Sequence, residues 1–178
     1  MKLKNGFEQA VCIIALLATQ DVSIPVSSQV INKMLEASPT YLRKIFRKLV
    51  VADLVKSVPG NNGGFTLSKS PEEISLRQVV ESLEGPISTY PDTGLADKVF
   101  KNMQSGANLL PKPGDLVLKE AFLEADKLWL SALEQKSVKS LIQTALGLDY
   151  IPIVDWNETD TEGELLIRKV LNRINGNI

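Results

Sequence analysis

The stretch "SPTYLRKIFRKLVVADLVKSVPGNNGGFTL", residues 38 to 67, decides how this chain is read. Its first half opens with a strong helix start, Ser38 as N-cap and Pro39 at the first helical position, where a missing N–H costs nothing. Leu42, Ile45, Phe46 and Leu49 then recur at three- and four-residue spacing, which predicts an amphipathic helix with one stripe toward a core. Thr40, Arg43, Lys44, Arg47 and Lys48 cover the rest of that helix. The second half sets two apolar, strand-like runs, "LVKSV" and "GFTLS", around a cluster of Gly and Asn, the residues that reach positive φ most cheaply. That pattern predicts a hairpin with an exposed tip. It is not a phosphate-cradling nucleotide loop, because Phe65 follows Gly64 where such a loop needs Lys-Ser or Lys-Thr.

Working outward, residues 5 to 19 are apolar nearly all round and predict a helix buried at the centre of a core, with Cys12 buried and inert among Val11, Ile13 and Ile14. Pro25 breaks it, and Ser27 or Ser28 can cap a second helix, "QVINKMLEA". Beyond the hairpin a further helix runs from Ser75 to about Leu83. The order helix, helix, basic helix, hairpin, helix is that of a winged helix-turn-helix, in which the third helix enters the DNA major groove and the hairpin, or wing, reaches the flanking backbone. The expected fold class is therefore mainly α with a small β-hairpin wing.

Residues 84 to 113 hold four prolines and three glycines and read as a connector with a helical patch around Asp97 to Met103. "GDLVLKEAFLEADKLWLSALEQK" then predicts a long helix in which Leu118, Phe122, Ala125, Trp129 and Ala132 form a stripe suited to packing on another helix, a symmetry mate included. "SVKSLIQTAL" predicts a shorter helix. The tail holds an expected strand, "YIPIVDW", an acidic loop and a closing helix, "LLIRKVLNRI". The expected division is a DNA-binding domain over 1–87, a connector over 88–113, dimerisation helices over 114–146 and an extension over 147–178.

The net charge of -1 carries no nucleic-acid signal for the chain as a whole. Locally the balance differs: from Ser38 to Gly60 there are five basic residues, Arg43, Lys44, Arg47, Lys48 and Lys56, against the single acid Asp53. One cysteine and no histidine exclude an internal disulfide, the usual zinc sites, Ser-His-Asp or Cys-His catalysis and a cluster held by several thiolates of one chain. An enzyme is not expected. The longest apolar run, "AVCIIALLA" at 10 to 18, is too short to span a bilayer, so the expected location is the cytoplasm.

Many spaced residues carry a more specific likeness: Ser38 with Tyr41 and Leu42, Leu54-Val55 with Ser57, Gly60 with Gly63-Gly64-Phe65 and Leu67, then Pro71-Glu72-Glu73-Ile74-Ser75 leading to Leu83-Glu84-Gly85. In these the chain closely resembles the Rrf2 family of bacterial winged-helix regulators, over roughly residues 1 to 87 and, in element order only, through the connector, the long helix and the short helix after it. The resemblance implies a sequence-specific transcriptional regulator, a repressor, acting as a homodimer on a double-stranded DNA operator. Sensor members of the family carry three cysteines in the connector; residues 84 to 113 contain none, so an iron–sulfur role does not carry over and no cofactor is expected. Pro59 stands where many members have Arg before the first wing glycine, Glu8-Gln9 replaces an Arg-Tyr pair, and Arg43 replaces an acid.

Charged helical residues are ordinarily a solvated face, and a glycine turn is ordinarily just a hairpin. The two together in winged-helix order favour DNA. The expected contacts are Lys2, Ser27, Ser28, Ser38, Thr40, Tyr41, Arg43, Lys44, Arg47, Lys48, Lys56, Asn61 and Asn62, with Leu118, Phe122, Ala125, Trp129 and Ala132 at a dimer seam. A small molecule or a protein is the expected effector, and no membrane partner is expected. The other reading is a winged-helix module that binds a partner metabolic enzyme.

Overall fold

The computed structural model describes residues 3–91, 93–100 and 114–158. Its elements are α1 (Gly6–Ala18), α2 (Ser28–Leu35), α3 (Pro39–Val51), β1 (Val55–Val58), β2 (Gly64–Leu67), α4 (Leu76–Glu84), α5 (Leu95–Phe100), α6 (Gly114–Glu134) and α7 (Val138–Leu146). The winged helix-turn-helix order is present. Lys2, the helical patch beyond residue 100, most of the acidic loop and the expected closing helix lie outside the described residues. No described helix is long and apolar enough to cross a membrane.

Helix starts follow local chemistry. Ser27 accepts a hydrogen bond from the Val30 amide to cap α2, and Ser75 caps α4 in a reciprocal box with Gln78. Ser137 caps α7 through the Ser140 amide. The turn between α2 and α3 is made by Glu36, which sits in the left-handed region at φ 46°. A side chain there costs about 1–2 kcal/mol, which Gly avoids at a smaller entropic cost. Glu36→Gly is therefore expected to stabilise by roughly 0.5–1 kcal/mol, read as a higher midpoint in thermal melts; an unchanged or lower midpoint would show that this turn carries no strain.

The core gathers Ala10, Ile13, Ile14 and Leu17 of α1 with Ile31 of α2, Leu42, Ile45 and Leu49 of α3, Val79 and Leu83 of α4, and Val138 of α7. α1 does not fill the centre on all sides, as its composition predicts. Its buried face is Gly6, Ala10, Ile13, Ile14, Leu17 and Ala18, while Glu8 and Cys12 are exposed. α2, α3, α4, α7 and β2 pack on α1, and Phe7, Val11, Ala15 and Leu16 are partly buried at the edges of that packing. Cys12 is thus at the surface, contrary to expectation. Partial desolvation by its apolar neighbours and then the Glu8 carboxylate raise its pKa, which disfavours the reactive thiolate.

The hairpin pairs Val55 with Leu67, Lys56 with Thr66, Ser57 with Phe65 and Val58 with Gly64. Val26 adds a bridge on the other edge, its amide donating to the Phe65 carbonyl at 3.0 Å and its carbonyl accepting from the Phe65 amide at 2.9 Å. This close approach explains Gly64, where a Cβ would lie 2.2 Å from the Val26 carbonyl oxygen. A Cβ on Gly63 would meet the Val58 oxygen at 2.3 Å. Both glycines therefore serve the chain's own backbone.

Two brackets hold the remaining elements. The start of α7 is tied to the start of α4: Leu76 donates to the Lys136 carbonyl and Val138 to the Ile74 carbonyl, each at 2.8 Å, with Ser75 donating to Glu134 at 3.0 Å. The end of α6 is thereby fixed to the winged-helix core. The second bracket is residues 151–157, an extended strap and not the expected strand. Val154 makes the backbone bond to the α1 end, to the Thr19 carbonyl at 2.7 Å, and the other bonds from the strap to residues 19–27 go through side chains. Trp156 donates from its amide to Gln20 at 2.8 Å and from its indole to Thr19 at 2.9 Å. Asn157 accepts from the Ser27 amide at 3.1 Å and donates to the Pro25 carbonyl at 3.0 Å.

Candidate nucleic-acid interface

α3 begins without a side-chain cap, Ser38 holding the N-cap position through its backbone alone. Leu42, Ile45, Phe46 and Leu49 are buried, as the spacing predicts, and Thr40, Arg43, Lys44 and Arg47 are exposed on the opposite face. Arg43, Lys44 and Arg47 form no ion pair with a described residue. Three cations uncommitted to the fold on one helix face give a local positive potential.

The wing is held beside α3 by an aromatic stack. The Phe46 and Phe65 rings lie nearly parallel, 8° apart with centroids separated by 3.8 Å, and so join α3 to β2. Between helix and wing runs a groove of about 400 Å³. Ser28, Asn32, Pro39 and Arg43 line it from the helices, and Ser57 to Gly60 with Gly63 and Gly64 line it from the wing. Asn61 and Asn62 are exposed at the tip.

Other candidate residues are engaged elsewhere. The Lys48 ammonium donates to the Leu83 carbonyl at 2.6 Å, a cation on the C-terminal end of α4, where the helix dipole favours it. The Tyr41 hydroxyl lies against Gly6 at the start of α1, where an added Cβ would come within 2.9 Å of it. Lys56, with Thr66, lines a cleft on the other side of the hairpin. The Ser27 hydroxyl and amide are both used, in the α2 cap and by Asn157. The exposed surface of α3, the start of α2 and the wing tip thus keeps Ser28, Ser38, Thr40, Arg43, Lys44, Arg47, Asn61 and Asn62, of which Lys44 and Arg47 line a hollow with Glu81 and Ser82 of α4 and not the wing groove. Asn32 joins the groove without being expected there; it sits in α2 with no charge to mark it.

On α6, Leu118 and Phe122 are half-exposed, Ala125 and Ala132 are exposed and Trp129 is partly covered. The Tyr90 and Phe122 rings meet at 5.7 Å. Asp126, buried on the same helix, accepts from the Thr89 amide at 2.9 Å and hydroxyl at 2.6 Å, which fastens the connector to α6. Leu128 is the most exposed large apolar side chain among the described residues of α6, at 68%.

Known proteins place this architecture. The chain is 34% identical over 166 residues to YwgB of Bacillus subtilis, named as an HTH-type transcriptional regulator, a match covering 93% of this chain and all of that protein. Among solved structures it is similar to a Listeria innocua protein named as a transcriptional regulator, with a TM-score of 0.60 at 22% identity, covering 91% of this chain and 94% of that one. It is also similar to CymR, the global cysteine regulator of Bacillus subtilis, with a TM-score of 0.57 at 23% identity, covering 79% and 95%. These two establish the fold.

The Rrf2 family, described as iron-dependent transcriptional regulators, matches residues 3–144. The donor set here does not fit iron held by thiolates or imidazoles: the chain has one cysteine and no histidine, and that cysteine stands exposed on α1 with a raised pKa. Among the described residues no three His, Cys, Asp or Glu side chains are grouped to hold a metal ion. The uncovered basic helix, the wing stacked beside it and the match over most of the length lead to one assignment: the chain belongs to the Rrf2 family of DNA-binding transcriptional regulators.

Proposed function

We propose that the chain acts in the cytoplasm as a homodimeric repressor that reads a two-fold operator, α3 of each subunit in the major groove and the wing on the flanking backbone. The observation that supports this reading is the exposed α3 face of Thr40, Arg43, Lys44 and Arg47, with Arg43 on the groove toward the wing and Lys44 and Arg47 lining a hollow toward Glu81 and Ser82 of α4. Arg43, on the groove side, is assigned to base reading with Thr40. Lys44 and Arg47 are assigned to phosphate, and the second copy docks through α6.

The test begins with capture and sequencing of genomic fragments by the purified protein, followed by operator titrations across salt concentrations. Lys44→Ala and Arg47→Ala should each weaken binding about tenfold and lower the salt slope by about one for every phosphate no longer neutralised in each subunit. Lys48→Ala should leave the slope alone, because that ammonium caps α4. Arg43→Ala should relax the preference at one base pair per half-site by roughly 1–3 kcal/mol. Unchanged affinity and slope in both Lys44→Ala and Arg47→Ala would remove this face from the interface.

A further inference from the structure

Behind the wing, on the side away from the α3 groove, lies a cleft of about 720 Å³, well within the range of small-molecule sites. Leu17, Ala18 and Leu67 contribute apolar floor, and Val22, Ile24 and Ile153 stand around it with 83%, 38% and 57% of their surfaces exposed. Lys56 and Lys69 also line it, and neither forms an ion pair with a described residue.

Asp21 also lines the cleft and Glu73 feels the Lys69 charge, but both carboxylates accept hydrogen bonds within their own turns. Asp21 accepts from the Ser23 amide at 2.8 Å and hydroxyl at 2.6 Å, and Glu73 accepts from the Ser70 amide at 3.1 Å and hydroxyl at 2.9 Å. The Ser68 hydroxyl, in the same wall, is buried without a hydrogen-bond partner. Apolar walls with two ammonium groups outside any ion pair, against the one lining carboxylate of Asp21, complement a molecule with an apolar body and one anionic head.

We propose that this cleft binds a small organic carboxylate with an aryl or medium-chain alkyl body, and that occupancy is coupled to operator binding. The coupling part rests on the DNA-binding reading above; the binding part does not. The cleft reaches the DNA face through the wing and the strap, and not through α2 or α3 themselves. Phe65 lines it and also stacks on Phe46 of α3. Gln20 lines it and also holds the Trp156 amide, while Ile153 belongs to the strap that binds the residues leading into α2. A ligand that favours one posture of wing and strap must change operator affinity, and the operator must change ligand affinity by the same factor.

Octanoate and 1-naphthoate are the probes, titrated calorimetrically into the DNA-free protein, with octylammonium as the charge control. Saturable binding of one carboxylate per chain is expected, at least tenfold tighter than octylammonium and weakened at least tenfold in Lys56→Gln/Lys69→Gln. Circular dichroism should show that this double variant keeps the parent fold. Absence of carboxylate binding, equal binding of octylammonium, or undiminished binding by the double variant would overturn the site. With the captured operator present, octanoate should shift operator affinity at least threefold in the parent and leave Lys69→Gln unmoved. Carboxylate binding with no shift in the parent would overturn the coupling, and failure to capture any operator would overturn the DNA reading while the calorimetry still decides the site.

Discussion

Leu128→Glu is expected to give a folded monomer whose operator affinity is lower by about a thousandfold, because the second half-site is no longer held at high effective concentration. Val117, Leu118, Phe122 and Leu128 keep 52%, 50%, 42% and 68% of their surface on α6. The small residues Ala121, Ala125 and Ala132 lie exposed among them. Such a patch on a long helix marks an interaction surface, and burying each large side chain contributes about 1.5–3 kcal/mol. Leu128 is the residue to change because its exposure makes the substitution nearly neutral for the single chain, within about 0.5 kcal/mol. Trp129→Glu is a poorer test, since Trp129 is already partly covered in its own chain. Sedimentation velocity, circular dichroism and operator anisotropy read the three consequences separately. A folded dimer with parental affinity would place the seam elsewhere.

What is legible in the sequence is local. The α3 stripe and its Ser38-Pro39 start arise from interactions within four residues, and the hairpin from turn residues next to one another, so both can be read without tertiary information. Direction around the helix is harder. Lys48 follows Arg47 by one residue and shares its charge, but that single step turns it toward the end of α4, and composition holds no trace of the Leu83 carbonyl that receives it. The turn glycines are legible as glycines and not as to purpose: Gly64 answers to Val26, a residue far back along the chain. Cys12 takes its expected burial from its neighbours in sequence, whereas its exposure depends on which side of α1 other elements cover. The strap is the least legible element. "YIPIVDW" has the composition of a strand, yet its partners are a helix end and a loop about 130 residues earlier, engaged through Thr19, Gln20 and Asn157, which show no periodicity.

Trp156→Ala carries the largest expected loss of stability, about 3–5 kcal/mol for emptying a buried indole site, or roughly 10 °C in the melting midpoint of a chain this size. Trp156 is only 5% exposed, and its indole N–H meets a Thr19 hydroxyl that itself donates toward the Ala15 and Leu16 carbonyls. Trp156→Phe keeps most of the packing and drops one hydrogen bond, so about 1 kcal/mol is expected. A change within 0.5 kcal/mol for Trp156→Ala would mean that the strap merely lies on the surface. The strap is held at one end by α7 and its bonds go to the residues between α1 and α2, so its release should precede global unfolding. Hydrogen exchange separates the two events. In Trp156→Ala the amides of Val154 and Ser27, bonded to the Thr19 carbonyl and to Asn157, should lose protection at denaturant concentrations where Leu49 in α3 remains protected. Simultaneous loss at all three positions would show that the strap and the winged-helix core form one cooperative unit, and that no separate loosening of the approach to α2 takes place.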